Sequence, residues 1–368
     1  MKNITKIIFA SLASLALFVV PATSGELTVT GAAKATYNII KGGDHTTAGN
    51  GLSKGMGVAN EISFGANGEL DNGWTWTYGV DFDPSDGATA ASDGNANGVD
   101  DSKLTVTTGY GTVGMFITEG ALRAENKGSQ SVYSRPTDIG LTTGINTTGD
   151  IDGYSNMQYH TPAGLLPFET SFKIGYSSGG ENQINSSNST GEAADRTAGG
   201  TPDSVEQYAL STSPIDGLNI HADYFKEDGS KIATAGDTVI TQQMESGGLA
   251  ATYTFGAATI GVARSLETPT ISRTATGTAA TDVREMEQNK MSVSYVVNDN
   301  TSVSYEEERG ERELVNNSAT NDYKGESLQV AHTMGGMTLA VVYSKHDNIG
   351  YRLGNDVEQV LFATTMAF

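Results

Sequence analysis

Apolar and polar side chains alternate along most of the chain with the period of two that a strand imposes. Residues 74–83 show it best. Trp74, Trp76, Tyr78, Val80 and Phe82 fall on one face, and Thr75, Thr77, Gly79, Asp81 and Asp83 on the other. Residues 27–40 set Leu27, Val29, Ala33, Tyr37 and Ile39 against Thr28, Thr30, Lys34, Thr36 and Asn38. In residues 61–70, Ile62, Phe64 and Leu70 oppose Glu61, Ser63, Asn67 and Glu69. The last stretch, 357–368, has Val360, Phe362, Thr364, Met366 and Phe368 on one face and Gln359, Leu361, Ala363, Thr365 and Ala367 on the other. Tight-turn signals such as Asp71-Asn72-Gly73, Asn298-Asp299-Asn300 and Gly335-Gly336 join successive segments.

The same pattern predicts strands at 103–109, 112–118, 154–161, 168–177, 205–212, 218–226, 243–255, 257–266, 286–297, 301–309, 326–333 and 337–346. The total is about sixteen strands of roughly nine to eleven residues, the length a tilted strand needs to cross a bilayer. Short turns alternate with long polar loops. These features predict an all-β fold, a transmembrane antiparallel up-and-down β-barrel. A secreted β-sandwich or β-solenoid is the soluble alternative. A sandwich has no need of long loops at one end only, and no fixed-period repeat supports a solenoid. Aromatics gather at strand ends as two girdles should. Trp74, Trp76, Tyr110, Phe168, Phe255, Phe362 and Phe368 fall near the short turns, and Tyr37, Tyr176, Tyr224, Tyr305 and Tyr343 near the long loops.

The amino-terminal stretch reads differently. Lys2 and Lys6 precede an apolar run, 7–20, too short to span a membrane as a helix, and Pro21-Ala22-Thr23-Ser24 follows with small residues. Residues 1–24 are expected to be a cleaved signal peptide, leaving 25–368 as a single barrel. The chain has no cysteine, which excludes a disulfide scaffold and a thiolate metal site. After Val20 no stretch resembles a transmembrane helix, so a membrane location requires a closed barrel. Among 368 residues there are 22 Lys and Arg against 43 Asp and Glu, a net charge of −21. That balance excludes nucleic acid as a partner and favours cations.

Four features together resemble the Gram-negative outer-membrane porins, most nearly the alphaproteobacterial type. They are the signal peptide, the opening GELTVTGAAKATY, the long loop after VGMFITEGALRAENKG and the ending LFATTMAF. The resemblance covers the whole mature chain and rests on architecture and termini rather than on a catalytic motif. It implies a sixteen-stranded barrel, usually a homotrimer among outer-membrane lipids, whose third loop folds inward to narrow the pore. It also implies that Phe368 is read by the barrel-assembly machinery.

A porin needs a watery lumen and an electrostatic filter rather than catalysis. Strand parity points Lys34, Lys103, Lys173, His221 and Lys290 inward, with Glu61, Glu69, Asp81, Asp83, Glu169, Asp223, Glu306 and Glu308. Acids outnumber bases, so a weak cation preference is expected. Loop 119–153 is the constriction candidate and carries Glu119, Arg123, Glu125, Lys127, Arg135, Asp138, Asp150 and Asp152. The resemblance implies that loop acids face wall bases. Glu119 and Glu125 match the acids, with Lys34 and Lys290 as counter-charges. Arg264 and Arg309 fall on the outer parity near strand ends, which suits either a rim position or a bulge. Phe116 and Phe225 are the inward aromatics.

Asp93-Gly-Asn95-Ala-Asn97-Gly98 matches the first half of a calcium loop. Its twelfth position is Leu104 rather than Glu, and Asp100 and Asp101 would complete the oxygen shell. The five histidines are scattered, with no H-E-x-x-H or G-x-S-x-G context. No enzyme is expected, although His221 and Asp223 share a lumen face. The reading is a passive channel for small hydrophilic solutes and ions. The alternatives are a substrate-selective channel and a structural or adhesive surface protein.

Overall fold

The computed structural model describes residues 26–43, 53–82, 99–139, 148–178, 202–230, 237–274 and 283–368. The proposed signal peptide, Asp83, and Asp93, Asn95 and Asn97 of the calcium motif lie outside them. Asp100 and Asp101 fall in a barrel strand.

Sixteen antiparallel strands close into a barrel, each beside its neighbour in chain order. They begin with β1 (Glu26–Gly42), β2 (Ser53–Glu69), β3 (Thr75–Phe82), β4 (Val99–Thr108), β5 (Gly111–Ile117) and β6 (Asn156–His160). Next come β7 (Ser171–Ser177), β8 (Pro202–Ile215), β9 (Leu218–Ser230), β11 (Glu245–Phe255) and β12 (Ala258–Thr268). The wall is completed by β14 (Val283–Asn298), β15 (Thr301–Leu314), β16 (Tyr323–Met334), β17 (Met337–Asp347) and β18 (Val357–Ala367). A separate two-stranded sheet, which the sequence reading missed, pairs β10 (Asp237–Gln242) with β13 (Ile271–Thr274) in two of the long connections.

The seam joins β1 to β18 over the register Ala32↔Ala367 to Gly42↔Val357. Below it, Gly31 N–H donates to Phe368 O at 2.8 Å and Phe368 N–H donates to Gly31 O at 2.9 Å. Closure leaves no edge strand in the described barrel, the condition for a sheet in lipid. Gly31 is required here, because a Cβ would collide with the Phe368 ring.

Parity separates two environments. Along β18, Leu361 and Ala363 are each 5% exposed, whereas Phe362 is 44% and Met366 49% exposed. The exposed set continues around the wall through Leu27, Val29, Leu104, Met115, Leu249, Val262, Met291, Leu328 and Val341. These outward side chains form the apolar band that a bilayer would cover. The inward set is polar and includes Gln158, Gln207, Ser265, Ser304, Gln329 and Gln359, all buried.

The aromatic girdles need one correction. Phe362 stands directly opposite Tyr37 in the seam, ring centroids 6.5 Å apart, so it belongs beside the long-loop aromatics. Arg264 and Arg309 follow no bulge, for the ladders through them are unbroken. Both point outward and bind carboxylates on the same face. Arg264 Nη2 is 2.7 Å from Glu287 Oε2, and Arg309 Nε is 2.6 Å from Glu307 Oε1. Lys324 extends this outward row to Glu307 at 3.2 Å and Glu326 at 2.8 Å. Paired charges at the long-loop end suit the headgroup level, where the hydrocarbon has ended.

Candidate functional site: a loop folded into the barrel

After β5 the chain leaves the wall and enters the lumen. Thr118 (φ 52°) and Gly120 (φ 89°) turn it inward through left-handed backbone. At Gly120 a Cβ would strike the side chains of Gln158 and Phe116, so only glycine fits. The loop then crosses the inner faces of β9, β11, β12, β14, β15, β16 and β18 in turn.

Wall side chains bind the loop backbone at each stage. Asp223 of β9 accepts from Ala124 N–H at 2.8 Å, and its other oxygen accepts from Gln207 Nε2 at 3.0 Å. Gln207 in turn accepts from Ile151 N–H at 2.8 Å. Ser292 Oγ donates to Gly128 O at 2.8 Å, and Val132 N–H donates to Ser304 Oγ at 3.0 Å. Glu306 accepts from Ser129 at 2.5 Å and from Ser131 at 2.6 Å. Thr137 N–H donates to Glu308 at 3.1 Å. Gln329 accepts from Tyr133 N–H at 3.0 Å, and Gln359 Nε2 donates to Ile139 O at 2.7 Å. Each such bond contributes about 0.5–1.5 kcal/mol net, and those to carboxylates about 1.5–3. A series of this length holds the loop as part of the wall.

Packing fills what the hydrogen bonds leave. Leu122 and Ile151 of the loop meet Val205 and Phe225 of the wall, and Ile139 meets Val342 and Leu361. Gly128 and Gly261 let the two backbones approach so closely that a Cβ on either would collide with the other strand.

The loop closes on itself through Arg123. Asp150 accepts from Leu122 N–H at 2.9 Å, from Arg123 N–H at 3.2 Å and from Arg123 Nε at 3.1 Å. Glu125 lies 3.7 Å and Asp152 3.9 Å from the same guanidinium. Burial pulls the Arg123 pKa down, but Glu125, Asp150 and Asp152 outweigh it and leave it above its ordinary value. Burial raises the Asp152 carboxyl, with the Asp150 charge adding to it and Arg123 opposing.

The expected site residues fall into two groups. Glu125 is fully buried on the wall side of the loop, where Thr148 Oγ1 donates to it at 2.9 Å. Lys290 is buried there too, 3.6 Å from Glu308 and 3.1 Å from Asn126 Oδ1. Neither faces the other across water, because the loop covers both. Glu119 is paired with Lys103 of β4. Lys34 lies over the Tyr133 ring at 4.8 Å. Lys127 is exposed on the loop. Glu61 of β2 and Asp81 of β3 are on lumen parity away from the loop, opposite Ala32 and Ser63 in the ladders. A space of about 440 Å³ is lined by Tyr133 and Asp138 of the loop and by Lys34, Thr36 and Asn38 of β1.

Gln207, Gln329 and Gln359 hold the loop and were not singled out from the sequence. Their signal was a glutamine on the inward parity of its strand. Phe116 and Phe225 are inward as expected, and both are buried against the loop. Ser211 Oγ is 2.8 Å from His221 Nδ1, but Asp223 is committed to Ala124 and Gln207. The serine, histidine and aspartate therefore form no relay.

No sequence-family model matches the chain, and no curated protein sequence does. Solved structures match across nearly its full length. An anion-selective porin from Comamonas acidovorans shares 13% identity at a TM-score of 0.65, covering 94% of this chain and 100% of that one. OmpF of Salmonella typhi, in complex with daunomycin, shares 14% identity at 0.60, with coverage of 94% and 97%. The trimer form of OmpT, an outer membrane protein of Vibrio cholerae, shares 14% identity at 0.58, with coverage of 94% and 100%. At these identities the likeness shows the fold, a sixteen-stranded barrel of the porin type.

Proposed function

We propose that the protein is a Gram-negative outer-membrane channel for passive diffusion of small hydrophilic solutes and ions, with loop 119–153 as its constriction. The observation that carries this reading is the anchored loop inside a closed barrel. A soluble scaffold has no use for a wall that is apolar outside and polar inside. An adhesive protein would not need ten or so hydrogen bonds holding one loop away from the surface.

The constriction narrows one side of the lumen, and Glu61 of β2 and Asp81 of β3 lie on lumen parity away from the wall residues that anchor it. A weak preference for cations is part of the proposal. Glu61 and Asp81 support it, as does the net charge of −21. A homotrimer is proposed on the likeness to a structure in trimer form. Transport without catalysis is part of the proposal. The alphaproteobacterial affinity rests on the sequence resemblance alone.

Liposome swelling with a graded series of neutral sugars tests the reading. The expected result is uptake that falls steeply with solute size. Equal exclusion of every sugar, including the smallest, would overturn it. In a salt gradient, the expected reversal potential has the cation-selective sign.

A further inference from the structure

Basic side chains gather in one recess of about 60 Å³ between the start of the loop and the wall of β7, β8 and β9. Lys127 lines it from the loop, Lys173 from β7 and His221 from β9, and Ser171 and Ser211 line it too. Arg123 also lines it, but Asp150 already meets its charge. None of the lining residues is a carboxylate. Among the described residues, no carboxylate lies within ion-pair distance of Lys127 or Lys173.

Two ammonium groups lining one small recess without a counter-ion repel each other, and partial enclosure strengthens that repulsion. An entering anion reverses the sign of the interaction. The Ser211 contact holds the His221 ring through Nδ1 at 2.8 Å and leaves Nε2 as its second polar atom. Hydroxyls, ammoniums and an imidazole together offer donors from several directions. That suits a tetrahedral oxyanion with several acceptor oxygens better than a spherical halide. The volume is room for a few ordered waters at about 10–15 Å³ each, which an oxyanion of similar bulk can replace.

We propose that this recess is a binding step for a small polyvalent oxyanion of the phosphate class. The inference rests on the channel reading and names a solute class that the constriction holds in transit. It is compatible with a cation bias, because Glu61 and Asp81 lie on β2 and β3, several strands away around the barrel. Cations and oxyanions then follow different walls of one lumen.

Calorimetry of inorganic phosphate against the detergent-solubilised full chain tests the site without requiring conduction. Saturable binding is expected for the native protein, with acetate binding far more weakly. The double variant Lys127→Gln/Lys173→Gln should bind phosphate at least about tenfold more weakly. The charge-preserving Lys127→Arg/Lys173→Arg should retain most of the affinity, which separates charge from folding. No saturable heat with the native protein, or equal affinity in the Gln variant, would overturn the proposal. Planar-bilayer current measured in parallel keeps the two readings distinct. Conduction without phosphate binding refutes the site alone, and phosphate binding without conduction refutes the channel alone.

Discussion

The carboxylate of Asp223, on the inner face of β9, accepts a 2.8 Å hydrogen bond from the backbone N–H of Ala124 in the loop. Its other oxygen is bound by Gln207, which in turn holds Ile151. One aspartate thus ties both arms of the loop to the wall. Asp223→Ala would leave the Ala124 N–H and the Gln207 amide without their partner, at about 1–3 kcal/mol for each buried group. The ladder of β9 does not use this side chain, so the barrel should still close. Single-channel recording should show larger and noisier current steps than the native protein. Unchanged conductance and noise would mean that the loop does not depend on this anchor.

Gly261 gives a prediction of opposite sign. Its Cα faces Gly128 so closely that any Cβ must push the loop away from β12. Gly261→Val should therefore displace the loop toward open water and reduce conductance. A paired variant at an outward glycine of another strand controls for strand propensity. Increased conductance in Gly261→Val would contradict the packing described.

Lys290 and Glu308 are both buried, 3.6 Å apart, beneath the loop. Lys290→Met leaves the carboxylates of Glu306 and Glu308 without their cation. Breaking one side of a buried pair costs about 3–5 kcal/mol. The temperature at which the folded barrel loses its compact electrophoretic mobility should fall. Adding Glu308→Gln should restore much of the loss, because the stranded charge is then gone. A double variant no more stable than the single one would place the cost elsewhere.

All sixteen barrel strands were legible in the sequence, because lipid on one side and water on the other force a period of two. The signal weakened where one of those conditions failed. In β2, Gly55 and Gly57 occupy the inner parity opposite Met56 and Val58, so the strand appeared to begin at Glu61 rather than at Ser53. β14 and β15 continue past the outward row of paired charges, where no lipid demands apolar residues. The pair β10 and β13 lies in the long connections and is short, which hid it among polar segments. The site was less legible than the fold. Parity gives the face of wall residues such as Lys290, but not whether a loop lies over them. Sequence therefore placed Lys290 on the correct face without showing that the loop buries it. The glutamines that hold the loop carry no charge, so charge patterning does not mark them.

Phe368 closes the seam through two backbone hydrogen bonds to Gly31 and covers that glycine with its ring. Removing it should leave part of β1 unpaired at the membrane boundary, where unsatisfied backbone groups are costly. We propose in addition that the residue is recognised during barrel assembly. Deletion of Phe368 should lower the amount of heat-modifiable barrel in the outer membrane severalfold. The molecules that do assemble should conduct almost as the native protein does. Normal assembly with altered conductance would contradict both roles.

Water should run through this barrel past its anchored loop. Planar-bilayer recording of the purified native chain in symmetric potassium chloride tests it most directly. Discrete ohmic steps whose size rises in proportion to salt concentration are expected. A correctly folded barrel that inserts into the bilayer and passes no current would contradict it.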